Sequence, residues 1–174
     1  GIKALEPMQR QGRALLIGVG GLGQYAIRYL RLLTNAKIIA LDVAEDKRSR
    51  ALELGADEAI GPDEDIAPCD LIIDFIGSDI TLATAAGAVA RKGMIIVVGL
   101  GGGQTNFGLG KVPPEARFMT SFWGTRQQMD ELLELARREP SIMPSVETLP
   151  LSDAQHAHNR LRAGRVAGRI VLIP

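Results

Sequence analysis

The chain has 174 residues, enough for one domain with a small appendage, and 46% are hydrophobic, enough to fill a sizeable core. Twenty basic and twenty acidic side chains cancel, so no net field favours nucleic acid or an anionic membrane, and 4% aromatics argue against a base-stacking platform. The single cysteine, Cys69, excludes an internal disulfide and a thiolate cluster; with no membrane-length apolar run and no signal peptide, a reducing cytoplasm is the expected setting.

Residues 1–12 read as the tail of a helix cut from something longer, then a polar link carrying Pro7. Ala14–Val19 is an unbroken apolar run, as in a strand buried on both faces. The next turn has the spacing Gly18-x-Gly20-x-x-Gly23 and opens a helix, Leu22–Leu33. Gly18 permits a tight turn, Gly20 lets the backbone approach a pyrophosphate, and Gly23 lets the helix sit against the strand. Free N–H groups at Gly20, Gly21 and Leu22 would face phosphates, with the helix dipole behind them. Leu22, Ala26, Leu30 and Leu33 form this helix's inward stripe; Gln24, Arg28 and Arg31 point away, and Asn35 is the stop.

Lys37–Asp42 is the second strand and ends in a carboxylate nineteen residues after Gly23. A ribose-binding acid belongs there when the second strand lies beside the first. Ionised Asp42 would accept from the 2′- and 3′-hydroxyls and repel a 2′-phosphate, which favours NAD over NADP. The plain alternative is an acid that starts the next helix, Glu45–Leu54. Lys47 and Arg48 lie in its first turn; Arg48 leaves room for NADP, and both also fit a solvated face. Gly55 suits a left-handed cap. Asp57–Ile60 and Asp70–Phe75 are the third and fourth strands, Asp79–Ala90 is a helix closed by Gly93, and Met94–Val98 is the fifth strand.

This alternation predicts an α/β fold of the Rossmann type: a three-layer, doubly wound parallel sheet of order 3-2-1-4-5-6 over residues 13–140. Leu100–Pro114 is too long and glycine-rich for a simple turn, and fits either a loop near a ligand or subunit or a plain surface excursion. Arg117–Phe122 is the sixth strand. Thr125 and Gln128 make a capping box for a helix Arg126–Arg138, with Met129, Leu132, Leu133 and Ala136 inward. Residues 141–174 form a strand-helix-strand appendage: Pro144, a strand Ser145–Leu149, a second capping box at Ser152 and Gln155, a helix to Arg162, and a strand Arg169–Ile173.

No catalytic constellation and no metal site is read. His156 and His158 lie two apart on a helix and point in different directions, as solvent-facing residues do. Asp74 ends its strand with no paired nucleophile or base, and Cys69 fits a packed position. The glycine turn lacks the Lys-Ser/Thr of a phosphate-binding P-loop.

GVGGLG at 18–23, Leu41–Asp42 followed by Lys47, ELGAD at 53–57, DFIGS at 74–78, GMIIVVGL at 93–100, SFWGTR at 121–126 and LRAGRVAGRIVLIP at 161–174 occur in this order. Together they resemble the zinc-containing medium-chain alcohol dehydrogenases, across essentially the whole chain. The resemblance implies a Rossmann domain that binds NAD for oxidation of an alcohol to an aldehyde or ketone. It implies pyrophosphate contacts from the backbone of Gly20, Gly21 and Leu22, and adenosine ribose held by Asp42 with Lys47 nearby. Phe75, Ile76 and Gly77 would border adenine and its ribose. Val98, Gly99 and Leu100 would line the nicotinamide side. Backbone groups of Ser121, Phe122 and Trp123 would fix the carboxamide, and Arg169 would approach the pyrophosphate.

In that family the zinc ligands, proton relay and most of the substrate pocket lie in an N-terminal half with no counterpart here. The resemblance therefore implies a chain that binds NAD without catalysis, zinc only in a longer parent, and residues 141–174 packing on the absent catalytic half. It also implies a homo-oligomer paired through the sixth-strand edge. Rival readings are a stand-alone NAD-sensing module, the coenzyme half of a zinc-free quinone or enoyl reductase, and an S-adenosylmethionine-dependent methyltransferase.

Overall fold

The computed structural model describes residues 12–143, 146–166 and 168–174. Of the 1–12 tail it therefore covers only Gly12, and Pro144 and Ser145 lie outside the described residues. Segments rich in Ile, Leu and Val form strands β1 (Arg13–Ile17), β2 (Lys37–Leu41), β4 (Cys69–Asp74) and β5 (Val89–Val97), and the short segment Glu58–Ile60 forms β3. With β6 (Arg117–Thr120) they make one six-stranded sheet of order β3-β2-β1-β4-β5-β6, parallel throughout. The order matches the expectation. The strands stop one or two residues earlier than the apolar runs do: β1 at Ile17, β4 at Asp74, β6 at Thr120. The remaining residues of each run turn out of the sheet at its carboxyl edge.

Helices α1 (Gly23–Leu33), α2 (Glu45–Glu53) and α3 (Asp79–Ala88) cover the sheet. Leu16, Ala14, Ile38 and Ile73 pack with Ile27 and Leu30 of α1 and Ala51 of α2 on one face. Leu15, Ile17, Ile72 and Ile95 pack with Leu82, Ala85 and Ala88 of α3 on the other. Leu15, Leu16 and Ile17 are buried to within 1%, and each such side chain stabilises the fold by roughly 1.5–3 kcal/mol relative to exposure.

Three expectations are corrected. The inward face of α1 is Gly23, Gln24, Ile27 and Leu30, whereas Leu22 is 48% exposed. The close approach of Gly23 to β1 sets the helix rotation, which hydrophobicity alone does not. The helix α3 ends at Ala88 and β5 begins at Val89, because Val89 pairs with Cys69 across a register shift in β4. Gly93 is thus inside a strand, not a helix cap. Of the two capping boxes after β6, Thr125–Gln128 is present at the start of α4 (Arg126–Arg138). The Ser152–Gln155 box is absent: a 3₁₀ turn, Leu151–Asp153, runs directly into α5 (Ala154–Arg162), so Ser152 does not reach a capping position.

The appendage is a β-α-β unit in which β7 (Val146–Pro150) and β8 (Arg169–Ile173) pair in parallel. Arg160 of α5 grips Glu147 of β7 through both terminal guanidinium nitrogens, at 2.6 and 2.8 Å. The Arg28 guanidinium of α1 donates to the carbonyls of Ile142 and Met143, fastening the connecting turn to the main domain.

At the amino edge, Arg31 donates to the Gly55 carbonyl beyond α2 and to the Asp57 carboxylate. Gly55 sits at φ +106°, the expected left-handed cap. Burial pushes the Asp57 carboxyl up, but the Ile38 N–H and the Arg31 guanidinium outweigh it and hold the group below the ordinary carboxylate range. A depressed carboxyl stabilises the fold above its unfolded pKa, and that contribution is lost as pH falls through the folded value. Asp57→Asn is therefore expected to lower stability near neutrality and to match the wild type in strong acid. The pair is partly exposed, so the loss is on the order of 1 kcal/mol or less. Urea denaturation across the acid range checks this; an equal deficit at every pH refutes it.

Candidate functional site

All six parallel strands end at one edge, and the segments leaving five of them hold nearly every residue singled out in the sequence: Gly18–Gly23 after β1, Asp42 after β2, Phe75–Gly77 after β4, Val98–Leu100 after β5 and Ser121–Trp123 after β6. The order reverses between β1 and β4, and an open α/β sheet has its binding crevice at such a point.

The glycine turn is built as its spacing requires. Gly18 sits at φ +92°, and its N–H donates to the Leu41 carbonyl at 2.8 Å. A Cβ on Gly23 would lie 2.1 Å from the Gly18 carbonyl oxygen, so only glycine lets α1 begin there. Among the described residues beyond its chain neighbours, none has an atom within 4 Å of the place a Gly20 Cβ would take, so this part of the turn faces open space. Among the described residues, the N–H groups of Gly20, Gly21 and Leu22 have no protein acceptor. Three free donors at a helix N-terminus form an anion cradle.

Asp42 is 6% exposed and lies directly beyond β2. Its Oδ2 accepts from the Val19 N–H at 2.8 Å and its Oδ1 from the Ala44 N–H at 3.0 Å. Asp42 thus ties the glycine turn to the end of β2, and it does not cap α2, whose N-cap is Ala44. Each carboxylate oxygen keeps a second lone pair for a hydroxyl donor. Lys47 is half-buried nearby. Arg48 donates to the carbonyls of Asp42 and Val43 at 2.9 and 3.0 Å, a clamp on this turn that the sequence reading missed.

Arg169, near the far end of the chain, reaches the same place. Its Cζ and Nε lie 3.2 Å from where a Gly21 Cβ would stand, so the guanidinium rests on the glycine turn. Across the crevice, Ile76 leans over Gly18: its Cδ1 would be 2.8 Å from a Cβ there. Gly99 packs on the backbone of Ile76, with only 2.2 Å to spare for a Cβ. Leu100 is 82% exposed. Trp123 sits at φ +60°, a strained conformation for a bulky residue, and stacks edge-on with Phe122 at 5.4 Å between ring centres.

The expected inward stripe of α4 is not buried. Met129 and Leu133 are 55% and 49% exposed, and the helix borders an open groove of about 720 Å³ shared with Leu33 and Trp123. Amphipathic pattern says which face is apolar, not whether anything covers it. His156 and His158 are exposed as expected. Burial pushes the Cys69 thiol up, which fits a packed residue. Among the described residues, no group of three His, Cys, Asp or Glu side chains is placed to hold a metal ion, and no helix is long and apolar enough to cross a membrane.

Gly23→Ala is expected to force α1 off β1 and unmake the cradle, because the added methyl meets backbone rather than a movable side chain. A loss of about 1–3 kcal/mol, typical of overpacking, is checked by thermal melting; Gly20→Ala, facing open space, is expected to leave stability within about 1 kcal/mol.

Comparison with known proteins agrees with this geometry. Residues 21–138 match the family described as zinc-binding dehydrogenase. An alcohol dehydrogenase of Geobacillus stearothermophilus is 33% identical over 90% of this chain and 49% of its own length. The crystal structure of the alcohol dehydrogenase from the archaeon Aeropyrum pernix superposes with a TM-score of 0.87 at 31% identity, covering 99% of this chain and 53% of that one. The structure of acetophenone reductase from Geotrichum candidum, in complex with NAD, gives 0.85 at 27%, covering 99% and 52%. This chain spans about half the length of these relatives. With its glycine turn, its sheet order and this match over most of its length, the chain belongs to the zinc-binding dehydrogenase family.

Proposed function

We propose that this chain is the coenzyme-binding part of an NAD-dependent alcohol dehydrogenase that oxidises an alcohol to an aldehyde or ketone. The observation that carries the reading is the convergence on one crevice of three free backbone N–H groups, the Asp42 carboxylate and the Arg169 guanidinium. These are the groups a dinucleotide needs: donors and a cation for the pyrophosphate, and an acceptor for ribose hydroxyls. The acetophenone reductase it resembles was solved with NAD.

NAD, when bound, supplies a hydride acceptor. The chain's own work is to bind and orient it. Gly20, Gly21, Leu22 and Arg169 hold the pyrophosphate. Asp42, with Lys47 beside it, holds the adenosine ribose and selects NAD over NADP. Phe75, Ile76 and Gly77 border the adenosine side. Val98, Gly99 and Leu100 line the nicotinamide side, and the backbone of Ser121, Phe122 and Trp123 fixes the carboxamide. The described residues do not fit zinc; zinc, substrate pocket and proton relay belong to a catalytic half outside this chain. Residues 141–174 dock on that half. The exposed β6 edge, with Phe118 and Met119, pairs with a second copy. A reducing cytoplasm is the setting.

Titration with NAD is expected to raise the melting temperature of the chain, and NADH is expected to quench Trp123, its only tryptophan. No response to either refutes the reading. Asp42→Ala is expected to weaken NAD by about 1.5–3 kcal/mol, the range for a hydrogen bond to a charged group, and to narrow the preference over NADP. Calorimetric titration of both coenzymes checks this; an unchanged ratio removes Asp42 from selectivity.

A further inference from the structure

We propose that Asp74 is a positioning residue for the coenzyme crevice: its buried carboxylate sets the turn after β4 and, through Ile76, the gap between β1 and β4. The inference rests on the coenzyme reading above. Asp74 is the last residue of β4, 0% exposed, beside Ile17 of β1 and Val97 of β5. Its Oδ1 accepts two backbone N–H groups, from Ile76 at 2.8 Å and Gly77 at 3.0 Å. Its Oδ2 is buried and has no donor among the described residues.

Asp74 is also a main-chain hub. Its carbonyl accepts from Val98 and Gly99 at 2.8 and 3.1 Å. The turn it shapes then receives the next loop: Gly101 N–H donates to the Ile76 carbonyl at 2.9 Å, and Gly103 N–H to the Gly77 carbonyl at 2.8 Å. The two segments lie backbone on backbone, since Cβ atoms on Gly99, Gly101 and Gly103 would come within 2.2–2.7 Å of residues 76–79. The carboxylate therefore sets the turn after β4 directly, and the segment after β5 through the Ile76 and Gly77 carbonyls that this turn presents. It also holds Ile76 over Gly18, where that side chain limits the approach to the glycine turn.

Stability does not explain a carboxylate here. A buried carboxyl group with an unpaired oxygen is costly, and an apolar residue of similar size is often better tolerated in a core. Local choices that cost stability are characteristic of functional sites. What Asp74 adds is an acceptor for two adjacent N–H groups, which an aliphatic side chain lacks.

The experiment is NADH titration, followed by Trp123 quenching, with a thermal melt of each protein, on the whole chain and its variants Asp74→Leu, Asp74→Ser and Asp74→Asn. Asp74→Leu is expected to stay folded and to bind NADH at least tenfold more weakly. Asp74→Ser, with one short acceptor, is expected to lose three- to tenfold and serves if the Leu variant does not fold. Asp74→Asn keeps the Oδ1 acceptor and is expected to bind within threefold of the wild type. Wild-type-like binding by a folded Leu variant or by the Ser variant overturns the proposal, as does an Asn variant no better than Ser. A wild-type chain that does not bind NADH overturns the coenzyme reading and this proposal with it; normal wild-type binding with indifferent variants overturns the proposal alone.

Discussion

The contact between Gly23 and the Gly18 carbonyl is the constraint on which the rest of the structure depends. With no room for a methyl group at Gly23, α1 starts directly against the end of β1. That fixes the helix rotation, turning Gln24, Ile27 and Leu30 into the sheet and leaving Leu22 outside. It also determines which backbone donors stay free. The first turn of any helix has N–H groups without internal partners, and here those of Gly20, Gly21 and Leu22 open on the crevice. The dipole of α1 stands behind them. A packing requirement and a set of free donors thus come from one close approach.

Two buried carboxylates secure the rest of that edge, and both do so by accepting backbone N–H groups. Asp42 ties the glycine turn to the end of β2, and Asp74 folds the turn after β4 onto the loop after β5. Turns leaving a buried sheet have amides without sheet partners, and burial makes each unpaired one costly. Placing an acceptor at the strand's end satisfies them without lengthening the loop. The sheet core is filled with apolar side chains, so the most buried part of the molecule lies directly beneath the segments that line the crevice.

The outer parts are built differently. The appendage is held by Arg28, by the Arg160–Glu147 pair and by Arg169 resting on Gly21, contacts that depend on polar reach more than on a shared core. The apolar face of α4 and the β6 edge stay open. Those exposed faces accord with a chain that spans about half the length of its relatives.

Much of the fold was legible because its cause is local. Apolar runs such as Ala14–Ile17 and Leu71–Ile73 have no polar face to show water, so they read as buried parallel strands, and helices between them imply the crossovers that order the sheet. The glycine spacing and the acid after the second strand were legible for the same reason. The boundary between α3 and β5 was not, since Ala86–Ala90 suits either state and pairing of Val89 with Cys69 decided it. Nor was the burial of α4, because an amphipathic stripe carries no record of what covers it. By itself, then, the sequence determined the alternation of elements, the sheet order and the crevice edge, all consequences of short-range pattern. Only the tertiary structure decided that Arg169 lies on Gly21, that Asp42 and Asp74 serve their neighbouring turns, and that Ile76 leans over Gly18. Those contacts depend on which distant backbone groups the parallel sheet brings side by side, and that is a property of the folded chain alone.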